Sequence, residues 1–372
     1  MGVIAKSAFL KVHRWLGLVA GLFLIVQGLT GATLAFRDDL EPIVQPSLRV
    51  AVQPVRLPVQ ALLDAFHQAH PKADLQRAEF PDSAAQAVIF KWKAKAVRGL
   101  TAIDPYSGRI VRDGPASAWP LEVVFNVHEQ LLSGPVGETV IGIEGLALLT
   151  MAISGLVYWW PGARRLGQGF RVRLNGNSDL RWRTLHRAIG AGVALILIMS
   201  ATTGVLMVWK DPFRAALSTV VKAEARPSPK VAEQDDATMR PIDPLIAQAQ
   251  AHYGATPLRQ LRFSSGGRVV AVYLESDRTI RADGTAQVYF NRYDGTELAH
   301  YVAGTQSPGS ELIDWLYTVH TGLWGGALTQ AMMLLVGLTL AGMAASGLWL
   351  FFSRTARARN RKRKVSMEAA RS

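Results

Sequence analysis

Residues 13–38 read HRWLGLVAGLFLIVQGLTGATLAFRD, so a histidine and an arginine precede an apolar run that is long enough to cross a membrane. Residues 186–211, HRAIGAGVALILIMSATTGVLMVWKD, repeat this pattern after an offset of 173 residues, and Gly17 is matched by Gly190. The two stretches align without a gap. The sequence therefore predicts a duplicated unit whose first apolar helix begins with a histidine.

A second histidine follows in each unit, shortly before the next apolar run. His128 lies in FNVHEQLLSGPVG and His320 lies in YTVHTGLWGGALT, and 192 residues separate them. The sequence Ser-Gly-Leu at 154–156 and 346–348 keeps the same offset. Histidine is unfavourable next to a bilayer unless it has a function, so two matched histidines per repeat indicate a metal or cofactor site.

Four apolar runs are long enough to span a hydrocarbon core about 30 Å thick. The runs are Trp15–Phe36, Val140–Trp160, Ala188–Trp209 and Ala327–Phe352. Glu144 is the one charged residue among them. Trp119, Trp315 and Trp324 precede the second and fourth runs and are typical of tryptophans at a membrane interface.

The net charge of +13 is concentrated beside these runs. Residues 1–14, 161–185 and 353–372 together carry 17 Lys and Arg residues but only two acidic ones. This asymmetry predicts that both termini and the basic loop 161–187 are cytoplasmic, where they contact anionic lipid. Because the remaining chain has no positive excess, nucleic acid is not an expected partner.

The long loops 37–139 and 210–326 then lie on the outer side, which is the periplasm if the protein lies in the inner membrane of a Gram-negative bacterium. In each loop a predicted helix, Val59 to His70 or Pro244 to Tyr253, precedes strand-like stretches. The strand-like stretches are joined by turns at Pro105–Gly108 and Tyr293–Gly295. We therefore expect an α-helical membrane protein with four transmembrane helices in two parallel pseudo-symmetric repeats and two periplasmic α+β domains.

This symmetry predicts how the histidines pair. His13 and His186 fall near the inner face, and His128 and His320 fall near the outer face. Two imidazoles that face each other across a helix bundle are the axial ligands of a b-type haem, so we predict two haem b groups. Zinc or copper is the competing metal, but neither pair has an accompanying carboxylate, and the chain contains no cysteine.

Other residues are candidates for contact with the haems. Gly17 and Gly190 lie one turn from their histidines and leave room for a macrocycle. Arg14 and Arg187 are suited to haem propionates, but the positive-inside rule explains them equally well. Glu144 is a functional candidate as a proton relay or as a neighbour of a propionate or a quinol, and a buried, hydrogen-bonded glutamate is the alternative.

These motifs resemble the PepSY-associated transmembrane family. The HR-x-x-G helix starts, the VH segments, the Ser-Gly-Leu helix ends and the DPYSGRI-like turns carry the resemblance, over residues 6–355. It implies PepSY-like outer domains and haem ligation by the four motif histidines. Some members are ferric-siderophore reductases, so it also implies haem-dependent electron transfer to the periplasmic side and release of iron as ferrous ion.

The electron donor and the function itself have alternatives. The sequence contains no glycine-rich dinucleotide fingerprint, so a quinol or a separate cytoplasmic flavoprotein is the expected donor. A non-enzymatic envelope regulator or peptidase-inhibitor module of the PepSY type is the alternative function, and it needs no haem. The colour of the purified protein distinguishes these two functions.

Overall fold

The computed structural model describes residues 3–235, 237–254, 256–275 and 286–369, which form two compact units. The membrane unit contains the chain up to Ala35, Val124–Trp209 and the chain from Val319 onwards. The sheet unit contains Phe36–Val123 and Lys210–Thr318. Residues 1–2 of the predicted cytoplasmic N-terminus and residues 370–372 of the predicted basic tail lie outside the described residues.

Eleven α-helices form within the described residues. They are α1 Val3–Leu34, α2 Arg37–Val44, α3 Val59–Ala69, α4 Pro120–Gln130, α5 Gly134–Trp159, α6 Leu166–Gly169, α7 Ser178–Val208, α8 Lys210–Leu217, α9 Asp243–Tyr253, α10 Pro308–Thr321 and α11 Gly326–Ala369. Helices α1, α5, α7 and α11 each contain a span long and apolar enough to cross a membrane. This confirms the prediction of a membrane protein with four transmembrane helices.

The four long helices pack side by side in the membrane unit. Helix α1 lies against α5 and α11, and α7 also lies against α5 and α11. Helices α1 and α11 approach closely at Gly28 and Gly337, where a Cβ atom added to either residue would lie 2.6 Å from the carbonyl oxygen of the other. Glycine is required at this crossing because two backbones touch there.

The sheet unit is built on one antiparallel sheet of eight strands. The strands are β1 Asp74–Glu79, β2 Val88–Ala94, β3 Val97–Ile103, β4 Ile110–Pro115, β5 Leu258–Ser264, β6 Val269–Leu274, β7 Ala286–Asn291 and β8 Glu297–Val302. Their order across the sheet is β4-β3-β2-β1-β5-β6-β7-β8. Each long loop therefore contributes four neighbouring strands.

The two loops are joined through β1 and β5, which pair antiparallel with Ala78 opposite Leu261. A separate α+β domain is expected from the sequence of each loop, and neither β1 nor β5 is among the predicted strand-like stretches. Their sequences, DLQRAE and LRQLRFS, are rich in polar and charged residues. Because these strands lie at the centre of the sheet, the halves share one sheet and one core.

Helices α3 and α9 cover one face of this sheet. Their buried residues, including Phe66 of α3 and Ile246 of α9, pack in a single cluster with residues of both halves, such as Phe90 and Phe290. The amino termini of the two helices are also linked. The Asp243 carboxylate accepts hydrogen bonds from the backbone N–H groups of Val59 and Gln60 at 2.8 and 3.0 Å, and so satisfies free donors at the start of α3.

One interfacial tryptophan was predicted wrongly. Trp119 is fully buried in the sheet unit, where it packs with Leu48, Leu100 and Ala102. The Arg112 guanidinium lies over its ring, 4.9 Å from the centre. The apolar surroundings of Trp119 are therefore those of the sheet unit, and not those of the predicted membrane interface.

Candidate functional site

The structure brings the four motif histidines together in the two predicted pairs. The ring centres of His13 and His186 are 6.3 Å apart. The ring centres of His128 and His320 are also 6.3 Å apart. All four residues belong to the membrane unit: His13 and His186 lie near the starts of α1 and α7, and His128 and His320 lie near the ends of α4 and α10.

Each imidazole of the first pair is held by a serine on a neighbouring helix. The Nδ1 atom of His13 lies 3.0 Å from the backbone carbonyl oxygen of Met151 and 3.3 Å from the Ser154 hydroxyl on α5. The Nδ1 atom of His186 lies 2.9 Å from the Ser346 hydroxyl on α11. The same type of contact thus recurs on two different helix pairs.

Threonines take the same role in the second pair. The Nδ1 atom of His128 lies 2.9 Å from the Thr30 hydroxyl on α1. The Nδ1 atom of His320 lies 3.1 Å from the Thr203 hydroxyl and 3.1 Å from the backbone carbonyl oxygen of Ser200 on α7. All four histidines therefore use Nδ1 for a hydrogen bond to a transmembrane helix.

These partners determine the tautomer of each ring. A backbone carbonyl can only accept, so the Nδ1 atoms of His13 and His320 carry hydrogen. The hydroxyls of Ser154, Ser346, Thr30 and Thr203 each donate their own hydrogen to a carbonyl three or four residues earlier in their helix. They are left as acceptors for Nδ1–H, and the Nε2 atom of every histidine keeps a free lone pair.

No hydrogen bond to Nε2 occurs in any of the four histidines within the part of the chain that the structure describes. The second pair is also uncharged at neutral pH. Burial, and secondarily the charge of His320, lowers the pKa of His128 to about 4. Burial likewise lowers the pKa of His320. Neutral imidazole is the form that binds a metal.

A glycine lies against each of the four rings. A Cβ atom at Gly31 would lie 3.0 Å from Cε1 of His128, and one at Gly204 would lie 3.1 Å from Cε1 of His320. A Cβ atom at Gly155 would lie 3.2 Å from Cε1 of His13, and one at Gly347 would lie 3.5 Å from Cε1 of His186. Each glycine directly follows the serine or threonine that binds Nδ1, so one dipeptide both bonds the ring and makes room for it.

These four hydroxyl–glycine dipeptides were not predicted as site residues. They are Thr30-Gly31, Ser154-Gly155, Thr203-Gly204 and Ser346-Gly347. The signal was present, because the dipeptides recur with the same offsets as the histidines. The role of each dipeptide depends on which histidine it contacts, and the offsets alone do not identify that histidine.

Two methionines occupy the space beside the glycines that were predicted to leave room for a macrocycle. A Cβ atom at Gly17 would lie 3.3 Å from the methyl carbon of Met151, and one at Gly190 would lie 2.7 Å from that of Met343. These methionines are themselves 192 residues apart. Flexible thioether side chains therefore lie one helical turn from each histidine of the His13–His186 pair.

The two arginines that follow the histidines of the first pair differ. Arg14 is exposed and makes no hydrogen bond to a described residue. Arg187 donates from Nη2 to the carbonyl oxygen of Arg171 at 3.0 Å, while its buried Nε–H has no hydrogen-bond partner among the described residues. Arg187 thus retains an unused donor suited to an anionic group.

Glu144 forms no hydrogen bond with any of the four motif histidines. It is buried in α5, and neither of its carboxyl oxygens has a hydrogen-bond partner within the described ranges. The alternative prediction of a buried, hydrogen-bonded glutamate is therefore wrong for the described residues. The described residues also include no cluster of three His, Asp or Glu side chains that could hold a metal ion.

The sequence profile of the PepSY-associated TM region matches residues 10–354. The chain belongs to this family. The PepSY-associated region thus includes all four motif histidines and the four hydroxyl–glycine dipeptides that contact them. No curated protein matches the sequence at a significant level.

Proposed function

We propose that this protein binds two b-type haems, one between His13 and His186 and one between His128 and His320, and conducts electrons across the membrane. One observation carries the proposal: each pair presents two facing imidazoles whose Nδ1 atoms are engaged and whose Nε2 lone pairs are free. That is the donor set needed for axial ligation of haem iron.

The spacing of the rings supports the same conclusion. An imidazole nitrogen binds a metal at about 2 Å and the ring centre lies about 1 Å further away, so two rings on opposite sides of one ion have centres about 6 Å apart. The observed separation is 6.3 Å in both pairs. Two ligands without a third suit haem, because the macrocycle supplies the remaining nitrogens.

The helix contacts favour two repeats related by a twofold axis along the membrane normal. Helix α1 packs on α11 as α7 packs on α5. The contact of His13 with Ser154 is matched by that of His186 with Ser346. Such an axis would place the two histidines of each pair on equivalent elements, so each pair would hold a haem equally from both repeats.

We infer that the basic segments face the cytoplasm and that the protein resides in the inner membrane of a bacterium. His13 and His186 are then near the cytoplasmic face, and His128 and His320 near the periplasmic face. Thr30 of α1 contacts His128 and so marks the level of the second pair. It follows His13 by 17 residues, which correspond to about 26 Å along the helix. The two centres thus lie near opposite faces of the bilayer.

Haem, when bound, supplies an iron that changes reversibly between the ferric and ferrous states. The residues of the chain hold and orient it. The acceptors on Nδ1–H fix the orientation of each ring and would make its Nε2 a stronger donor to a metal. The free N–H of Arg187 suits a propionate, and the apolar faces of α1, α5, α7 and α11 exclude water.

The proposed activity is reduction of ferric siderophores on the periplasmic side, so the protein is a haem-dependent oxidoreductase. One electron converts chelated ferric iron to ferrous iron, which hard oxygen ligands bind less tightly, and the metal is released. A quinol or a cytoplasmic flavoprotein supplies the electron. The positive segments beside the membrane favour an acidic protein donor.

Spectroscopy of the purified protein tests the proposal. Pyridine haemochrome analysis should give about two haems per chain. Dithionite-reduced protein should be re-oxidised by a ferric siderophore while a chelator traps ferrous iron. His320→Ala should abolish this reaction, whereas His300→Ala, a control at an exposed histidine of the sheet unit, should not.

Two outcomes would contradict the proposal. Colourless protein from haem-replete cells would exclude haem binding. Protein that contains both haems but remains reduced in the presence of several ferric siderophores would exclude the reductase activity. If such protein bound a peptidase tightly, the regulatory function would replace the proposed one.

A further inference from the structure

Glu144 is a buried acid without a partner in the middle of a transmembrane helix. Its exposed fraction is 7%, and neither Oε1 nor Oε2 is hydrogen-bonded to a described residue. An ionised carboxylate is strongly unfavourable in apolar surroundings unless a charge or several donors compensate for it. The described neighbours of Glu144 provide no such compensation. Its protonation state therefore depends on charges farther away.

The helices packed against α5 carry no titratable group at this depth. Helix α1 has Lys6, Lys11, His13 and Arg14 near its start, and α7 has Asp179, Arg181, Arg183, His186 and Arg187 within its first ten residues. Helix α5 itself has the exposed Glu138 and, at its far end, Tyr158. From Trp15 to Leu34 and from Ala188 to Val208 the sequence has no titratable side chain.

Glu144 lies at a level between the two histidine pairs. Helices α1 and α5 are antiparallel, because His13 contacts Gly155 and Gly17 contacts Met151. Continuing this correspondence places Glu144 level with Leu24 of α1. On α7, a Cβ atom at the adjacent Gly145 would lie 2.6 Å from Val205, which directly follows the Gly204 that lies against His320. Glu144 is therefore closer to the level of the His128–His320 pair than to that of His13, which is about 16 Å away along α1.

Leu24 confirms that this depth is the interior of the bundle. It is 1% exposed and packs in a cluster with Leu148 and Met151. Leu148 and Met151 follow Glu144 by four and seven residues, so the three side chains share one face of α5. The carboxyl group is therefore on the face directed towards the helices that carry the histidine contacts.

We propose that Glu144 is a proton-binding site between the two histidine pairs, and that it takes up a proton when an electron reaches the His128–His320 pair. This inference rests on the proposed function, since it requires a redox centre at that pair. The electron leaves the reduced donor and converts ferric to ferrous iron. One proton from water joins a carboxylate oxygen of Glu144 to form the carboxylic acid, and re-oxidation releases both.

Charge accounts for the coupling. Reduction removes one positive charge from the centre at the nearer pair, His128 and His320. In a medium of low dielectric constant, this change favours a proton on the isolated carboxylate. No other described titratable group on α1, α5 or α7 lies between the two pairs, so Glu144 is the group expected to respond.

Redox titration at several pH values tests this coupling. The midpoint potential of the outer centre should fall as pH rises, by up to a tenfold change in the reduction equilibrium constant per pH unit, the limit for one proton per electron. Glu144→Gln keeps the volume and removes the titration, so its potential should not vary with pH. Glu138→Gln, at the exposed acid of the same helix, should behave like wild type.

Infrared difference spectroscopy provides a second measurement. Reduction should produce the C=O stretching band of a protonated carboxylic acid in wild type and Glu138→Gln, but not in Glu144→Gln. A wild-type potential that does not depend on pH, or a dependence that persists in Glu144→Gln, would overturn the inference. If no haem is bound, the proposed function fails. A pH-induced infrared titration of the haem-free protein then tests the proton site itself, and no titrating band assignable to Glu144 would refute it.

Discussion

The Nδ1 atom of His186 lies 2.9 Å from the Ser346 hydroxyl, which donates its own hydrogen to the carbonyl oxygen of Met343 at 3.0 Å. This serine is the one acceptor that the described residues offer to the His186 N–H. His13, the other member of the pair, has a backbone carbonyl as an acceptor in addition to Ser154. The two proposed ligands of one haem therefore depend on their serines to different degrees.

We expect Ser346→Ala to weaken haem binding at the His13–His186 pair by about 10- to 100-fold, because the ring loses the acceptor that orients it. Ser154→Ala is the matched control and should have a smaller effect, since His13 keeps the Met151 carbonyl. Haem titration followed by absorbance measures both affinities. Equal losses in the two variants would show that the hydroxyls do not orient the rings.

Substitution of the histidines should affect the two proposed haems separately. His13→Ala and His186→Ala should remove the same spectral component, because their rings face each other at 6.3 Å. His128→Ala and His320→Ala should remove the other component for the same reason. Reduced-minus-oxidised spectra at low temperature resolve the two. Loss of the same component in His13→Ala and His128→Ala would contradict this pairing.

The glycines closest to the rings, Gly31 and Gly204, leave too little room for a Cβ atom unless the ring moves. Gly204→Ala would place a methyl group 3.1 Å from Cε1 of His320, so we expect displacement of the ring and loss of the outer haem. Gly192→Ala, on the same helix, meets no atom within 4 Å and should retain both haems. The haem content of the two purified variants measures the effect of each added methyl group. Normal content in Gly204→Ala would mean that the ring can move without losing its ligand role.

The link between α3 and α9 should contribute to the stability of the sheet unit. Asp243→Ala removes the acceptor for two backbone N–H groups at the start of α3, and we expect a loss of about 1–2 kcal/mol in the free energy of unfolding. Asp243→Asn keeps one oxygen acceptor and should lose less. Denaturant unfolding of the full chain in detergent, followed by circular dichroism, gives both values. A larger loss in the Asn variant would indicate another role for this carboxylate.

Stability should decline in acid partly through Glu122, which accepts from Arg37 at 2.7 Å and from Lys91 at 3.2 Å. Burial alone would raise the pKa of Glu122, but Lys91 and Arg37 outweigh it and hold the pKa below its ordinary value of 4.5. A carboxyl whose pKa is lowered by folding stabilises the folded state while it is ionised. Its contribution is complete above pH about 4.5 and is lost as pH falls through the folded-state value.

We therefore expect Glu122→Gln to lower the free energy of unfolding at neutral pH by about 2 kcal/mol and to make its decline in acid less steep. Asp39→Asn, at an exposed acid of the same unit, is the control and should change neither quantity. Thermal unfolding recorded across this pH range measures both. An unchanged acid profile in Glu122→Gln would assign the decline to other carboxyl groups.

Much of the membrane unit follows from the sequence by itself. Hydropathy is a local property, so four membrane-length helices were predictable, and their positions agree with α1, α5, α7 and α11. The pairing of the histidines was predictable because each offset is constant along the repeat. The helices Val59–Ala69 and Asp243–Tyr253 and the turns between the predicted strands were also expected from local patterns.

Only the tertiary structure decided the contacts between distant segments. The join of β1 and β5 depends on backbone pairing between two polar strands, and no local pattern specifies such a partner. The free Nε2 atoms follow from hydroxyl and carbonyl groups about a hundred or more residues away in the chain. Glu144 was visible as an acid in an apolar run, but its lack of a partner depends on the neighbouring helices. Periodicity determines which face of an element is buried, whereas three-dimensional packing determines which polar atoms on that face find partners.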